Sequence, residues 1–254
     1  SAVVDARAVY GSHRTVWRHW VDEILAFLPV EHEYARRIVR GGRDAAAHSG
    51  RFGFCQGRLT AGQSIAQAIA KEGVAGALVF LGNEEMDREL AGMRVPVVNV
   101  SGRLDRSLTQ RVVVDNVAVG RAAAAHLVER GFRSLCFIGQ PNVTFSRLRF
   151  DGCREVASAH GCSLHHVAYR RRETPIHELL SLPRPLGVVG CHDAAARDAM
   201  DAVMALHIDV PNEVAFIGID NSEVICEGGV MSLTSIRTNG ESVGRVAVTI
   251  LIRM

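Results

Sequence analysis

Polar, mostly planar side chains recur in this chain just after short apolar runs. They are Glu31 and His32, then Asn83, Ser101, Asp115 with Asn116, Gln140 with Asn142, His192 with Asp193, and Asp220 with Asn221; Arg147 and Arg149 follow the Gln140 segment. Carboxylates, amides and guanidinium groups each make two hydrogen bonds at once, which is the geometry that adjacent hydroxyls of a sugar offer. Phe145 and Tyr34 are the rings available to stack on a sugar face. The chemistry this set suggests is recognition of a small sugar-like molecule. Turnover has no signature: G-x-x-x-x-G-K-[ST], G-x-G-x-x-G after the first strand, G-x-S-x-G and H-E-x-x-H are all missing, and Gly41-Gly42 falls inside a helical stretch. The chain therefore reads as a binder and not an enzyme, with no cofactor.

Several of these residues also have a purely structural reading. Asp193 precedes Ala194-Ala195-Ala196 and suits the N-cap of the helix that follows; Asn116 has a similar alternative. Arg149 falls in the first turn of a helix expected over 147–160, where the positive end of the helix dipole disfavours a cation. A rewarding partner is expected there, either a ligand with Asp220 or, in the plainer reading, Asp151 or Glu155 on the same helix. His160, Cys162, His165 and His166 match no zinc spacing, and neighbouring strand residues face opposite ways, so no metal site is expected.

The elements that must position these groups alternate regularly. Strands are predicted at 24–28, 52–55, 77–81, 95–100 and 112–114, with helices at 33–47, 64–71, 86–90 and 116–130, the last closed by Gly131. A second series repeats the order, with strands at 135–138, 164–169, 186–189, 214–219 and 233–236 and helices at 147–160, 175–182, 194–206 and 243–252. This is an α/β chain of two lobes, each a doubly wound parallel sheet covered on both faces. In such sheets a ligand sits beyond the carboxyl ends of the strands, where the polar residues above fall. Residues 1–22 fit neither series and read as a linker or arm. The final helix carries no stop signal, so the natural polypeptide is expected to continue past Met254.

Composition excludes other classes. Apolar residues make up 48% and charged residues 22% of 254 residues, enough for a packed core, and the net charge of +2 is far from what neutralising a DNA duplex requires. The six cysteines never form C-x-x-C and mostly lie in apolar runs, which reads as free thiols in a reducing cytoplasm. No apolar run reaches membrane-helix length and no signal-peptide pattern opens the chain, so no membrane partner is expected.

Four pieces, in order, carry a family resemblance: Val114-Asp115-Asn116 with Gly120 and the helix to Gly131-Phe132; Arg149-Phe150-Asp151-Gly152; Cys191-His192-Asp193-Ala194 with Val210-Pro211-Asn212-Glu213-Val214-Ala215; and Phe216-Ile217-Gly218-Ile219-Asp220-Asn221 with Leu233-Thr234-Ser235-Ile236. Over about 23–254 the chain resembles the periplasmic-binding-protein-like (type I) sensing core of the lactose/galactose repressor family. Within it, the chain is most similar to the xylose operon regulators, in which an AraC-type DNA-binding domain follows the core. The resemblance implies that Asp115, Arg149, His192 and Asp220 contact effector, with Asn221 adjacent. Many relatives place Asn, Asp or Thr where His192 stands. It further implies a first lobe of 23–130 plus 238–254, a second of 131–237, and three chain crossings between them. Also implied are a pentose effector, homodimers, and operator DNA bound only through a domain outside this segment. A soluble sugar-binding receptor of an importer would share the architecture.

Overall fold

The computed structural model describes residues 22–170 and 176–254. The proposed arm therefore lies outside the described residues except for Asp22, as does Pro175 at the start of one expected helix. Strands β1 (Asp22–Phe27), β2 (Phe52–Gln56), β3 (Gly76–Val79), β4 (Val97–Asn99) and β5 (Gln110–Arg111) form one parallel sheet in the order β2-β1-β3-β4-β5. Strands β6 (Ser134–Gly139), β7 (Ser163–Ala168), β8 (Leu186–Gly190), β9 (Val214–Ile219) and β10 (Thr234–Ile236) form a second, also parallel. Reversed, its order β7-β6-β8-β9-β10 repeats that of the first sheet, so the duplicated architecture read from the sequence is present.

The period of two along each strand explains why both faces are covered. In β1, Ile24 and Ala26 enter a core with helices α1 (Glu33–Ser49) and α9 (Gly240–Arg253), while Leu25 and Phe27 enter a second core with α2 (Ile65–Glu72) and α3 (Glu84–Ala91). Helix α1 forms because Ala35, Ile38, Gly42 and Ala46 make one buried stripe, and it ends at Gly50, whose φ of 66° suits glycine. The second sheet packs α4 (Asn116–Glu129), α5 (Thr144–Ala159), α6 (Ile176–Leu180) and α7 (Asp193–Met204) into one core through Leu127, Phe137, Cys153, Leu179 and Ala199. The short α8 (Glu223–Glu227) was not foreseen; one turn and a half leaves too little periodicity to read.

Two helix pairs, α1 with α9 and α4 with α5, meet through reciprocal glycines. A Cβ at Gly41 would stand 1.9 Å from the Glu241 carbonyl oxygen, and one at Gly244 2.0 Å from that of Ile38. A Cβ at Gly120 would stand 1.9 Å from the Arg149 oxygen, and one at Gly152 2.1 Å from that of Val117. Each pair thus packs backbone on backbone.

Two expectations need correction. Helix α4, assigned to the first lobe, buries Ala123, Ala124, Leu127 and Val128 in the second core. The chain therefore changes lobes before α4, between Arg111 and Asn116, and not at residue 130. It returns between Ile236 and Gly240, after which α9 stays against α1. Finally, Val112–Val114 are not strand β5. The Val112 N–H donates to the Asn99 oxygen at 2.9 Å, and the β-branched run then carries the chain out of the sheet toward the second lobe, its apolar side chains Val112 and Val114 lying against the first core.

Candidate functional site

A cavity of about 320 Å³ lies between the lobes at the carboxyl ends of both sheets. The first lobe contributes Glu31, His32 and Tyr34 from the start of α1, Phe80 after β3, and Gly102 and Arg103 after β4. The second contributes Asn116, Gln140, Phe145, Arg149, His192, Asp193 and Asp220.

Arg149 is 4% exposed and is held by three elements at once. Its Nε donates to Asn116 Oδ1 at 2.9 Å, its Nη1 to the Cys191 oxygen at 2.5 Å, and its Nη2 faces Asp220 Oδ1 at 3.5 Å. The guanidinium carbon stands 5.0 Å from the centre of the Phe145 ring. The expected reason for this arginine does not hold: α5 begins at Thr144, so Arg149 occupies the second turn, away from the unfavourable dipole end. Nor does it pair along its own helix, since Asp151 binds Arg154 at 2.7 Å and Glu155 binds Arg121 at 2.5 Å. Asn116 is buried as the acceptor for Arg149 and does not cap α4; Asp115 does, accepting the Ala118 N–H at 2.9 Å.

Asp220 and Asn221 follow β9 with φ of 107° and 51°, in the left-handed region that non-glycine residues occupy at a cost of about 1–3 kcal/mol. Their carbonyls receive the two terminal nitrogens of Arg37, each at 2.9 Å, from α1 of the opposite lobe. Arg37 is itself buried and paired with Glu33 at 3.1 Å. This turns the Asp220 carboxyl toward the cleft, where Thr238 also donates to it at 3.3 Å. Sequence reasoning missed Arg37, because a basic residue on an amphipathic helix reads as solvent-facing until the second lobe is in place.

His192, and not Asp193, is the N-cap of α7: its Nδ1 accepts the Ala195 N–H at 3.1 Å. The ring proton therefore sits on Nε2, leaving a donor. The ring meets Tyr169 edge-on at 5.1 Å, and burial lowers its pKa, so it is held neutral. Asp193 falls in the first turn instead, accepting the Ser222 N–H at 2.7 Å and the Ser235 hydroxyl at 2.5 Å. Burial pushes its carboxyl up to about 6, against those two hydrogen bonds.

Because this acid is easier to protonate in the folded chain than its ordinary value of 3.8, its contribution to stability is complete below about pH 4 and lost as pH rises through about 6. Asp193→Asn is therefore expected to melt progressively better relative to the parent as pH rises from 4 to 7. Paired melting curves of the ligand-free proteins check this, and a constant difference across that range would refute it.

Of the residues singled out by sequence, Glu31, His32, Phe145, Arg149, His192 and Asp220 line this one cavity. The lining does not include Asn83, Ser101, Asp115 or Asn221. Asn83 caps α3 through the Met86 N–H at 2.9 Å, and Ser101 is fully buried with its hydroxyl accepting the Arg103 N–H at 3.2 Å. The Asn221 N–H donates to Ser235 Oγ at 2.9 Å. Among the described residues no three His, Cys, Asp or Glu side chains gather to hold a metal, and no helix is long and apolar enough to cross a membrane. His166 instead stacks on Phe150 at 4.7 Å.

Residues 124–254 match the family described as the periplasmic binding protein-like domain. The xylose operon regulatory protein of Escherichia coli (strain K12) is 26% identical over 197 residues, covering 70% of this chain and 50% of that protein. The chain thus spans about half the length of such curated relatives. Among solved structures, a xylose-binding transcription activator superposes with a TM-score of 0.72 at 22% identity, covering 91% of this chain and 63% of that one. A LacI transcriptional regulator from a Rhodococcus species gives 0.76 at 21% identity, covering 91% and 89%. These likenesses establish the two-lobed fold.

Proposed function

The chain belongs to the periplasmic binding protein-like domain family, and we propose that it is the sugar-sensing part of a bacterial transcription regulator, binding a monosaccharide between its lobes. The observation that carries this reading is the Arg149, Asn116 and Asp220 array, fixed in a cleft that both lobes line and faced by the Phe145 ring. Asp220 offers acceptors, Arg149 and the Nε2–H of His192 offer donors, and a hydroxyl can serve both. Phe145 and Tyr34 give the C–H face of a sugar ring something to stack on. Groups from both lobes touch one ligand, so binding favours the closed arrangement. The shift equals the difference in affinity between closed and open states, typically about 1–3 kcal/mol of coupling to a distant site.

The names of the xylose-responsive relatives support a pentose, and a cavity of about 320 Å³ suits a single sugar ring. In this reading the first lobe comprises 22–111 and 240–253 and the second 116–236, both in the cytoplasm with reduced thiols. Operator DNA is contacted by another part of a longer polypeptide, of AraC type, and the cores pair as homodimers. The sugar panel that tests it is D-xylose, D-xylulose, D-ribose and cellobiose, each followed by thermal shift. A ligand at about 100 times its dissociation constant adds roughly 2.7 kcal/mol, or about 5–10 °C for a chain of this size. One monosaccharide is expected to give such a shift without being consumed. No shift from any of them, or turnover of the sugar, would overturn the reading.

A further inference from the structure

Helix α5 brings Phe145 and Arg149 to the cleft, yet its own sequence gives it no cap. Val143 occupies the N-cap position in extended backbone, and its side chain has no acceptor. The first N–H groups of a helix lack partners inside the helix and must find them elsewhere. Here two of them find partners in the other lobe. The Thr144 N–H donates to the Arg103 oxygen at 3.4 Å and the Phe145 N–H to the Gly102 oxygen at 2.9 Å. The Thr144 hydroxyl donates to Asp105 Oδ1 at 2.7 Å, and the Arg147 guanidinium pairs with the same oxygen. A carboxylate beside the first turn of a helix also complements the helix dipole. Thr144 and Arg147 hold the Asp105 carboxyl below its ordinary value.

The supplying turn is anchored firmly in the first lobe. Ser101 beneath it is fully buried, Leu104 packs on the first-lobe core, and Arg111 binds the Leu104 oxygen at 2.7 Å. Contact with α5 is close: a Cβ on Gly102 would come within 3.2 Å of the Phe145 Cβ.

We propose that the 102–105 turn of the first lobe is the N-terminal cap of α5 in the second, with Asp105 as a positioning residue, so that lobe closure and ordering of the α5 first turn are one event. Ligand binding in this arrangement is strengthened by Asp105, which is not part of the cavity lining. Apparent affinity scales with the fraction of molecules in the competent state, and loss of the cap lowers that fraction. The affinity part of this inference rests on the sugar-binding reading; the exchange part does not.

Two variants test it, Asp105→Ala and Asp105→Ala combined with Val143→Asp, the latter supplying a local cap. In ligand-free protein, amide exchange at 144–147 is expected to quicken at least tenfold in Asp105→Ala, with α4 unchanged as an internal reference. Calorimetric affinity for the panel sugar that binds the parent most tightly should fall three- to tenfold. Adding Val143→Asp should restore amide protection but not affinity, because the cap no longer depends on the other lobe. Unchanged exchange in Asp105→Ala would overturn the proposal, and so would recovery of full affinity on adding Val143→Asp. Were the parent to bind no sugar at all, the function proposed above would fall while the exchange result still decided this one.

Discussion

Arg149→Ala is expected to lose at least a hundredfold in sugar affinity and to remain folded with a lower melting temperature. The guanidinium joins α4, the β8–α7 turn and the β9–α8 turn in one place, through Asn116, the Cys191 oxygen and Asp220. Charge-assisted hydrogen bonds contribute roughly 1.5–3 kcal/mol each, so losing two to a bound ligand and its orienting carboxylate gives about 3 kcal/mol or more, a factor above one hundred. Stability falls for a separate reason. Asn116 Oδ1 and the Cys191 oxygen are left without their donor inside a buried region, at about 1–3 kcal/mol apiece. Asp220, whose side chain is 25% exposed, recovers some solvation and adds less. Arg149→Lys should recover little, since one ammonium on a flexible stem cannot span three separated acceptors. Arg154→Ala is the control: the same helix, a 64% exposed side chain and a partner in Asp151 that solvent can replace. Calorimetric titration with the best panel sugar, alongside melting curves, checks these outcomes. Unaltered affinity in folded Arg149→Ala would remove this residue from the site.

Much of this arrangement was legible in the chain itself, and most of the part that was not has a common cause. Alternation of apolar runs and amphipathic stretches is a local property, so the order of strands and helices, both sheets and the ends where polar residues collect could be read directly. Arg149 and Asp220 could be singled out for the same reason. The start of α5 could not, because its cap comes from Gly102 and Arg103, some forty residues away and in the other lobe. Arg37 was invisible because its acceptors are the carbonyls of Asp220 and Asn221, and a carbonyl leaves no trace in a sequence. The exchange of capping roles at the start of α7 is subtler. Histidine is an uncommon cap, so Asp193 looked the better candidate, yet it is drawn inward by Ser222 and Ser235. The Val112–Val114 run has strand composition, but it serves the crossing between lobes. Arg37, Asp193 and the first turn of α5 take their conformation from partners distant in sequence.

Gly120→Ala is expected to destabilise the fold by about 3 kcal/mol or more and to weaken sugar binding as well, although Gly120 touches no ligand. On propensity alone the substitution should help, since alanine in a helix interior is favoured over glycine by roughly 0.5–1 kcal/mol. Sterics decide otherwise. The new methyl would lie 1.9 Å from the Arg149 oxygen, 2.7 Å from its carbonyl carbon and 2.9 Å from its Cα, all backbone atoms that no rotamer change can move. The helices must separate by an ångström or more, and overpacking of this kind typically costs about 1–3 kcal/mol, more where neither side can yield. Separation also draws α5 away from Asn116, which sits at the start of α4 and receives the Arg149 Nε at 2.9 Å. Affinity should therefore fall together with stability. Gly244→Ala separates the two effects. It meets the Ile38 oxygen at 2.0 Å in the equivalent pair of the first lobe, so a similar loss of stability is expected with a smaller loss of affinity: the Asn116 and Cys191 bonds to Arg149 stay whole, and Asp220 is disturbed only through Arg37 on α1. Denaturant titrations of both variants give the stability change, and calorimetry below their melting points gives the affinity. Equal affinity losses in the two would mean that general loosening, and not the position of Arg149, is what binding responds to; a stable Gly120→Ala would mean that the helix pair tolerates a gap that its backbone contacts deny.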